Sequence, residues 1–161
     1  MTRRVVVTGV GLVSCLGHDY ETALGAIERG QSGVRSVPYE WLGHGLKSLV
    51  AGTIENIEEK QAQAGISKKL IPGMSDAARF CCIAANDAVI DAGWGEDELQ
   101  THDAICIVGT GVGSVDAVQR AAHLYYTDRI RRVDPYTVLR CMSSSSSAAV
   151  SNFLKIRGRS Y

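Results

Sequence analysis

Glycines lie where this chain could do chemistry first. Gly9-x-Gly11 and Gly109-x-Gly111-x-Gly113 each follow an apolar run. Glycine there would let backbone N–H groups approach a pyrophosphate at a helix start. Neither completes G-x-G-x-x-G, since positions 14 and 114 are Ser. The acid expected about 20 residues on falls at Glu28, within a helical stretch, or at Arg129. The glycines read first as tight turns under a crowded sheet. A serine hydrolase is set aside because no G-x-S-x-G elbow occurs.

Five cysteines are present: Cys15, Cys81, Cys82, Cys106 and Cys141. Cys106 falls mid-strand and Cys81-Cys82 mid-helix, where a thiol behaves as a small apolar group. Cys15 and Cys141 sit nearer element ends. None of His18, His44, His102 and His123 is paired by spacing with a carboxylate or a cysteine. No C-x-x-C or His/Cys spacing suits zinc, so no metal site is expected. On the residues alone, no catalytic set assembles.

The elements that would position these groups alternate. Val5-Val6-Val7-Thr8 reads as a strand buried on both faces. Asp19 caps a helix over 20–29, with Ala23, Leu24 and Ile27 inward and Gly30 as its stop. Residues 31–48 read as loop, with Pro38, Gly43 and Gly45. Leu49 to Ile54 reads as a second strand, and Glu55 to Pro72 as surface with one short helix. Ser75-Asp76 opens a long helix to Ala92, stopped by Gly93, with Ala77, Phe80, Cys81, Ala84, Ala85 and Ala88 at helical spacing. Ala104 to Val108 is the clearest buried strand. A helix to about 128 follows, with Val118, Ala122 and Tyr125 on one side. The serine run Ser143 to Ser147 reads as part of a tightly packed helix from Val138 to Lys155, because small residues let two helix backbones approach. Strands alternating with helices predict an α/β fold with a mainly parallel sheet.

Composition narrows the class of function. With 161 residues and a hydrophobic fraction of 45%, the chain can bury one real core. Lys+Arg and Asp+Glu are 17 each, so no net field would draw nucleic acid. The local basic runs Arg129, Arg131, Arg132 and Lys155, Arg157, Arg159 read as solvated faces, or as a place for an acidic partner such as a carrier protein. No apolar run approaches the roughly 20 residues of a membrane span, and no signal peptide precedes the first strand. Reduced thiols suit the cytoplasm. The closing stretch, Lys155 to Tyr161, reads as a helix end followed by the first residues of a strand, without a terminating turn. The chain is therefore expected to be the N-terminal part of something longer.

Several stretches together resemble the amino-terminal half of the β-ketoacyl-[acyl-carrier-protein] synthases. They are Arg4 to Gly17, Gly30-Gln-Ser-Gly-Val34, Met74-Ser-Asp-Ala-Ala78, Val108-Gly-Thr-Gly-Val-Gly-Ser114, Asp134-Pro-Tyr136 and Lys155-Ile-Arg-Gly-Arg-Ser-Tyr161, in family order along the whole chain. The details lean toward the elongating type I and II enzymes. The resemblance implies a thiolase-like αβαβα architecture, of which residues 1–161 form most of the first α/β half, with a mainly parallel mixed sheet. It also implies decarboxylative condensation of an acyl thioester with malonyl-carrier protein, for fatty acid or polyketide synthesis. No cofactor is needed, acyl carrier protein is the partner, and the enzyme is a homodimer. The nucleophilic cysteine would lie a few residues beyond Tyr161 and the two assisting histidines in the second half, so the segment alone is expected to be inactive. What this half would supply is the acyl pocket and subunit contact: Val112 as a branched gate, with Thr137, Val138 and Met142 lining the channel. Thr137 and the serine run depart from the residues usual there. Two alternatives stay open, a non-catalytic partner subunit resembling a chain-length factor (hence a heterodimer) and a nucleotide-binding α/β module.

Overall fold

Asp19 begins the first helix as the sequence predicts, its carboxylate accepting from the backbone N–H and the hydroxyl of Thr22, both at 2.8 Å. The computed structural model describes residues 3–36 and 48–161. Pro38, Gly43 and Gly45, and so most of the expected loop, lie outside the described residues. In chain order the elements are α1 (Tyr20–Glu28), β1 (Val34–Ser36), β2 (Val50–Gly52), α2 (Ile57–Gln63), a 3₁₀ turn (Ile71–Gly73), α3 (Asp76–Asp91), α4 (Glu96–Leu99), α5 (Val115–Tyr126), a second 3₁₀ turn (Ile130–Arg132), α6 (Thr137–Cys141) and α7 (Ser145–Phe153).

Helix α3 organises the core. Ser75 caps it through Ala78 N–H, and Gly93 stops it in the left-handed region at φ 66°. Ala78, Cys82 and Ile83 are wholly buried and form one cluster with Ile57, Ile66, Met74, Cys106 and Val150. The predicted inward residues Ala77, Phe80, Cys81, Ala84, Ala85 and Ala88 are half-buried flanks of that line. Helix α7 packs along α3. Its serines serve this contact: Ser145, Ser146 and Ser147 are at most 5% exposed. The Ser145 and Ser147 hydroxyls donate to the carbonyls of Met142 (2.7 Å) and Ser144 (3.0 Å), within their own turn of chain.

Close packing at the serine run is therefore as predicted, but the single helix is not. The backbone leaves helical geometry at Met142 (ψ 132°), which separates α6 from α7. Serine hydroxyls compete for nearby backbone groups and weaken helix continuity at such a point.

All three predicted strands are reduced, Leu49–Ile54 to the three residues of β2. Val5, Val6 and Val7 are 90%, 61% and 83% exposed, and no described residue pairs with them. A strand is buried on two faces only when neighbours flank it, and none does among the described residues. The Ala104–Val108 segment meets the chain's last residues in a parallel bridge, Cys106 to Ser160, with bonds of 2.9 Å from Cys106 N–H to Arg159 and 3.0 Å from Val108 N–H to Tyr161. Cys106 faces the core while Ile105 and Ile107 are open, so this segment is covered on one side. The pairing spans α5 to α7, the crossover a parallel pair requires. Within residues 31–48, read as loop, β1 forms an antiparallel hairpin with β2 (Val34 opposite Gly52). Glu55 to Pro72 carries its short helix, α2, but also contributes Ile57 and Ile66 to the core. In α1 the buried residues are Ala23 and Ala26, whereas Leu24 and Ile27 are exposed; in α5 Ala117 is buried while Val118 and Tyr125 are exposed.

Candidate functional site: the turn at Val112 and helix α6

The first glycine pair is a packing device. A Cβ on Gly9 would overlap the Ala88 carbonyl oxygen and fall 2.7 Å from Ala92 N. One on Gly11 would overlap the Ala84 carbonyl oxygen and fall 2.7 Å from Ala88 N. The segment lies in a groove that Ala84, Ala88 and Ala92, four residues apart, open on α3. Val10 N–H donates to Asp91 Oδ2 at 2.9 Å there. Helix backbone occupies the space that a phosphate would need beside these glycines.

The second cluster is divided. Gly109 and Gly111 have no atom within 4 Å of a built Cβ, but one on Gly113 would lie 2.5 Å from the Cys141 carbonyl oxygen. Ser114 caps α5 through Ala117 N–H. The Cys141 thiol points at the Ser114 carbonyl oxygen, at 4.0 Å. The 109–114 turn is thus seated on the end of α6, and α5 packs on the same helix. Val112 stands on that turn, held by the Thr110 hydroxyl donating to its carbonyl at 2.9 Å.

The four residues expected to line an acyl pocket therefore lie on two adjoining pieces of chain: Val112 on the turn, Thr137 and Val138 at the start of α6, and Met142 at its corner with α7. Thr137 is half-buried, and Val112, Val138 and Met142 are 60%, 71% and 50% exposed. None of the four lines the apolar cleft of about 200 Å³ that α6 borders through Leu139, whose other walls are Leu70, Gly73, Met74 and the α7 residues Ser145, Ala148, Ala149 and Asn152. Sequence reasoning missed this wall. Met74 stands before a predicted helix and Leu139 inside another, and nothing in their spacing shows that the Ile71–Gly73 turn meets α6.

Cys81, Cys82 and Cys106 are packed as apolar groups and are not set up as nucleophiles. Burial, followed by the neighbouring Cys81 and Cys106, pushes Cys82 up to about 12, and burial also raises Cys81. Cys106 is buried with its sulfur 3.7 Å from the Ser147 carbonyl oxygen. His18 Nε2 lies 2.6 Å from the Glu55 carbonyl oxygen, in a cleft that Cys15 also lines; His102 and His123 are exposed, and His44 lies outside the described residues. No group of three or more His, Cys, Asp or Glu could hold a metal ion among the described residues. Nor is any described helix long and apolar enough to cross a membrane.

With α3 and α7 covering one side of a parallel strand contact, the chain is an α/β protein whose fold matches solved ketosynthases, of the thiolase-like class. The family model for the β-ketoacyl synthase N-terminal domain matches residues 2–161, and the chain belongs to that family. It is 33% identical over 160 residues to 3-oxoacyl-[acyl-carrier-protein] synthase 1 of Haemophilus influenzae, covering 99% of this chain and 38% of the relative. Among solved structures it resembles the ishigamide ketosynthase/chain length factor with a TM-score of 0.87 at 25% identity, over 99% of this chain and 39% of that one. A chain in the solved complex of a type II PKS acyl-carrier protein with its ketosynthase shares the fold, with a TM-score of 0.75 at 18% identity, over 98% of this chain and 42% of that one. The chain thus spans about two fifths of the length of the relatives it matches.

Proposed function

We propose that this chain supplies the amino-terminal half of an elongating β-ketoacyl-[acyl-carrier-protein] synthase, and that its own contribution is one wall of the acyl pocket and part of a subunit contact. The observation that carries the reading is the family match running unbroken from residue 2 to residue 161. In the proposed reaction an enzyme thiolate attacks the acyl-carrier thioester, takes the acyl group and releases the carrier's thiolate. Malonyl-carrier protein then loses carbon dioxide, and the enolate attacks the acyl-enzyme carbonyl, expelling the thiolate and leaving a 3-oxoacyl-carrier thioester. The reading places that thiolate beyond Tyr161 and assigns the five thiols here no step; Cys82 and Cys106 are buried. It gives Val112, Thr137, Val138 and Met142 the task of bounding the acyl chain by bulk. The exposed Arg129, Arg131 and Arg132 beyond α5 offer an acidic carrier protein a landing place. The reading places the enzyme in the cytoplasm as a homodimer, acting in fatty acid or related polyketide synthesis.

The test is direct. The full-length gene product, given acyl- and malonyl-carrier protein, should release carbon dioxide and form the 3-oxoacyl thioester. Residues 1–161 alone should do neither, and turnover by them would sink the assignment. A second reading, a partner subunit of the chain-length-factor kind, draws support from the likeness to the ishigamide ketosynthase/chain length factor. It predicts no condensation by the full-length product until a ketosynthase partner is added.

A further inference from the structure

One side chain braces α6 at both ends. Arg140 donates from Nε to the Pro72 carbonyl oxygen at 2.9 Å. Its Nη2 donates to the same carbonyl and, at 3.0 Å, to Asp134 Oδ2. The other carboxylate oxygen, Asp134 Oδ1, accepts the Tyr136 N–H at 2.8 Å, and the Asp134 carbonyl accepts the Thr137 N–H at 2.9 Å. Asp134 therefore opens the helix and also holds the arginine from its last turn. The arginine side chain is 19% exposed, so much of this charge sits out of water.

The brace reaches across to the Ile71–Gly73 turn at its tightest approach to α6, where a Cβ on Gly73 would lie 3.2 Å from Leu139 Cδ2. These two pieces are also the walls of the apolar cleft that Leu70, Met74 and Leu139 line. A planar guanidinium spans both acceptors in one geometry, which sets a spacing; a lysine ammonium is a point charge on a flexible stem and does not.

The geometry points to Arg140 as a positioning residue that fixes how far α6 stands from the Ile71–Gly73 turn, and through that spacing sets the length of acyl chain the pocket accepts. This rests on the reading of α6 as a pocket wall in an acyl-condensing enzyme. Arg140 touches no substrate in this account; it acts through Thr137, Val138 and Leu139.

The experiment compares the full-length gene product with its Arg140→Ala, Arg140→Lys and Asp134→Asn variants. The kcat/KM for a tetradecanoyl- and a hexanoyl-carrier thioester is measured with malonyl-carrier protein. Loosening the wall should raise the long-to-short ratio by about threefold or more in Arg140→Ala, since hydrophobic pockets discriminate by about tenfold or more per methylene. Arg140→Lys should recover part of the change. Asp134→Asn keeps an oxygen for the Tyr136 N–H and should shift the ratio the same way if Arg140→Ala fails to fold. Loss of folded enzyme lowers both substrates equally and leaves the ratio alone, which separates positioning from mere stability. An unchanged or lowered ratio with an active parent overturns the inference. An inactive parent, with or without a partner subunit, instead overturns the condensing reading on which it stands.

Discussion

Replacing Gly11 with alanine tests whether the first glycine cluster is a ligand cradle or a packing groove. The added methyl would overlap the Ala84 carbonyl oxygen and sit 2.7 Å from Ala88 N. Both atoms belong to the backbone of α3, the helix that carries the wholly buried Ala78, Cys82 and Ile83, so neither can step aside as a side-chain tip would. Overpacking of this kind costs about 1–3 kcal/mol, and rigid backbone on the receiving side puts Gly11 at the upper end, about 3 kcal/mol. Removing a glycine also restricts the unfolded chain, which returns about 0.4–1 kcal/mol. The net loss is about 2 kcal/mol, or roughly 4–8 °C in Tm for a chain of this size.

The matched control is Gly111→Ala, in the other cluster, where a Cβ meets nothing within 4 Å. It should be neutral or stabilising by up to about 1 kcal/mol. Urea denaturation followed by circular dichroism reads both, with an unchanged m-value showing that the same transition is compared. Equal costs for the two variants, or a Gly11→Ala loss below about 0.5 kcal/mol, would refute the groove. A thermal shift of the parent by NADP or ATP that Gly11→Ala abolishes would refute it more directly.

Ser146 is wholly buried with a hydroxyl that finds no partner, so Ser146→Ala should stabilise the protein, by up to about 1–3 kcal/mol, in the same denaturation assay. A loss of stability would mean that the hydroxyl is satisfied after all. Cys82 has a folded pKa of about 12 against 9.0 for the ordinary thiol. The raised value favours the neutral thiol in the fold, so its contribution is fully present below pH 9 and is lost as pH rises from there toward 12. Cys82→Ala should flatten that alkaline fall in stability. In the folded protein at pH 8, mass spectrometry should find Cys82 unlabelled by iodoacetamide until urea is added. Val5, Val7, Ile107 and Tyr126 are each 75% to 90% exposed, so residues 1–161 alone should bind a hydrophobic dye and self-associate in ultracentrifugation.

Much of the local structure was legible because it is decided within a few residues. Asp19 and Ser75 announce helix starts by a side-chain oxygen within reach of an N–H three residues on, and Gly93 announces a stop by tolerating a left-handed φ. The small side chains of Ser145 to Ser147 announce a close helix contact, which α3 provides. The family motifs, from the Gly9-x-Gly11 turn to Lys155–Tyr161, were equally readable as a string.

What the string could not tell is what lies across from each residue. Val5 to Val7 has the composition of a doubly covered strand, yet burial belongs to a pair of surfaces, and no described residue supplies the second. Val118 and Tyr125 form a proper helical stripe but face solvent for the same reason. Gly9 and Gly11 look alike whether they cradle a phosphate or a helix; only the position of the Ala84 and Ala88 backbone distinguishes the two. The order of motifs determined the family and the local caps. The tertiary structure alone decided that Arg140 reaches Pro72, 68 residues away, because a contact at that separation in sequence is set by how α6 docks and leaves no period or spacing in the chain.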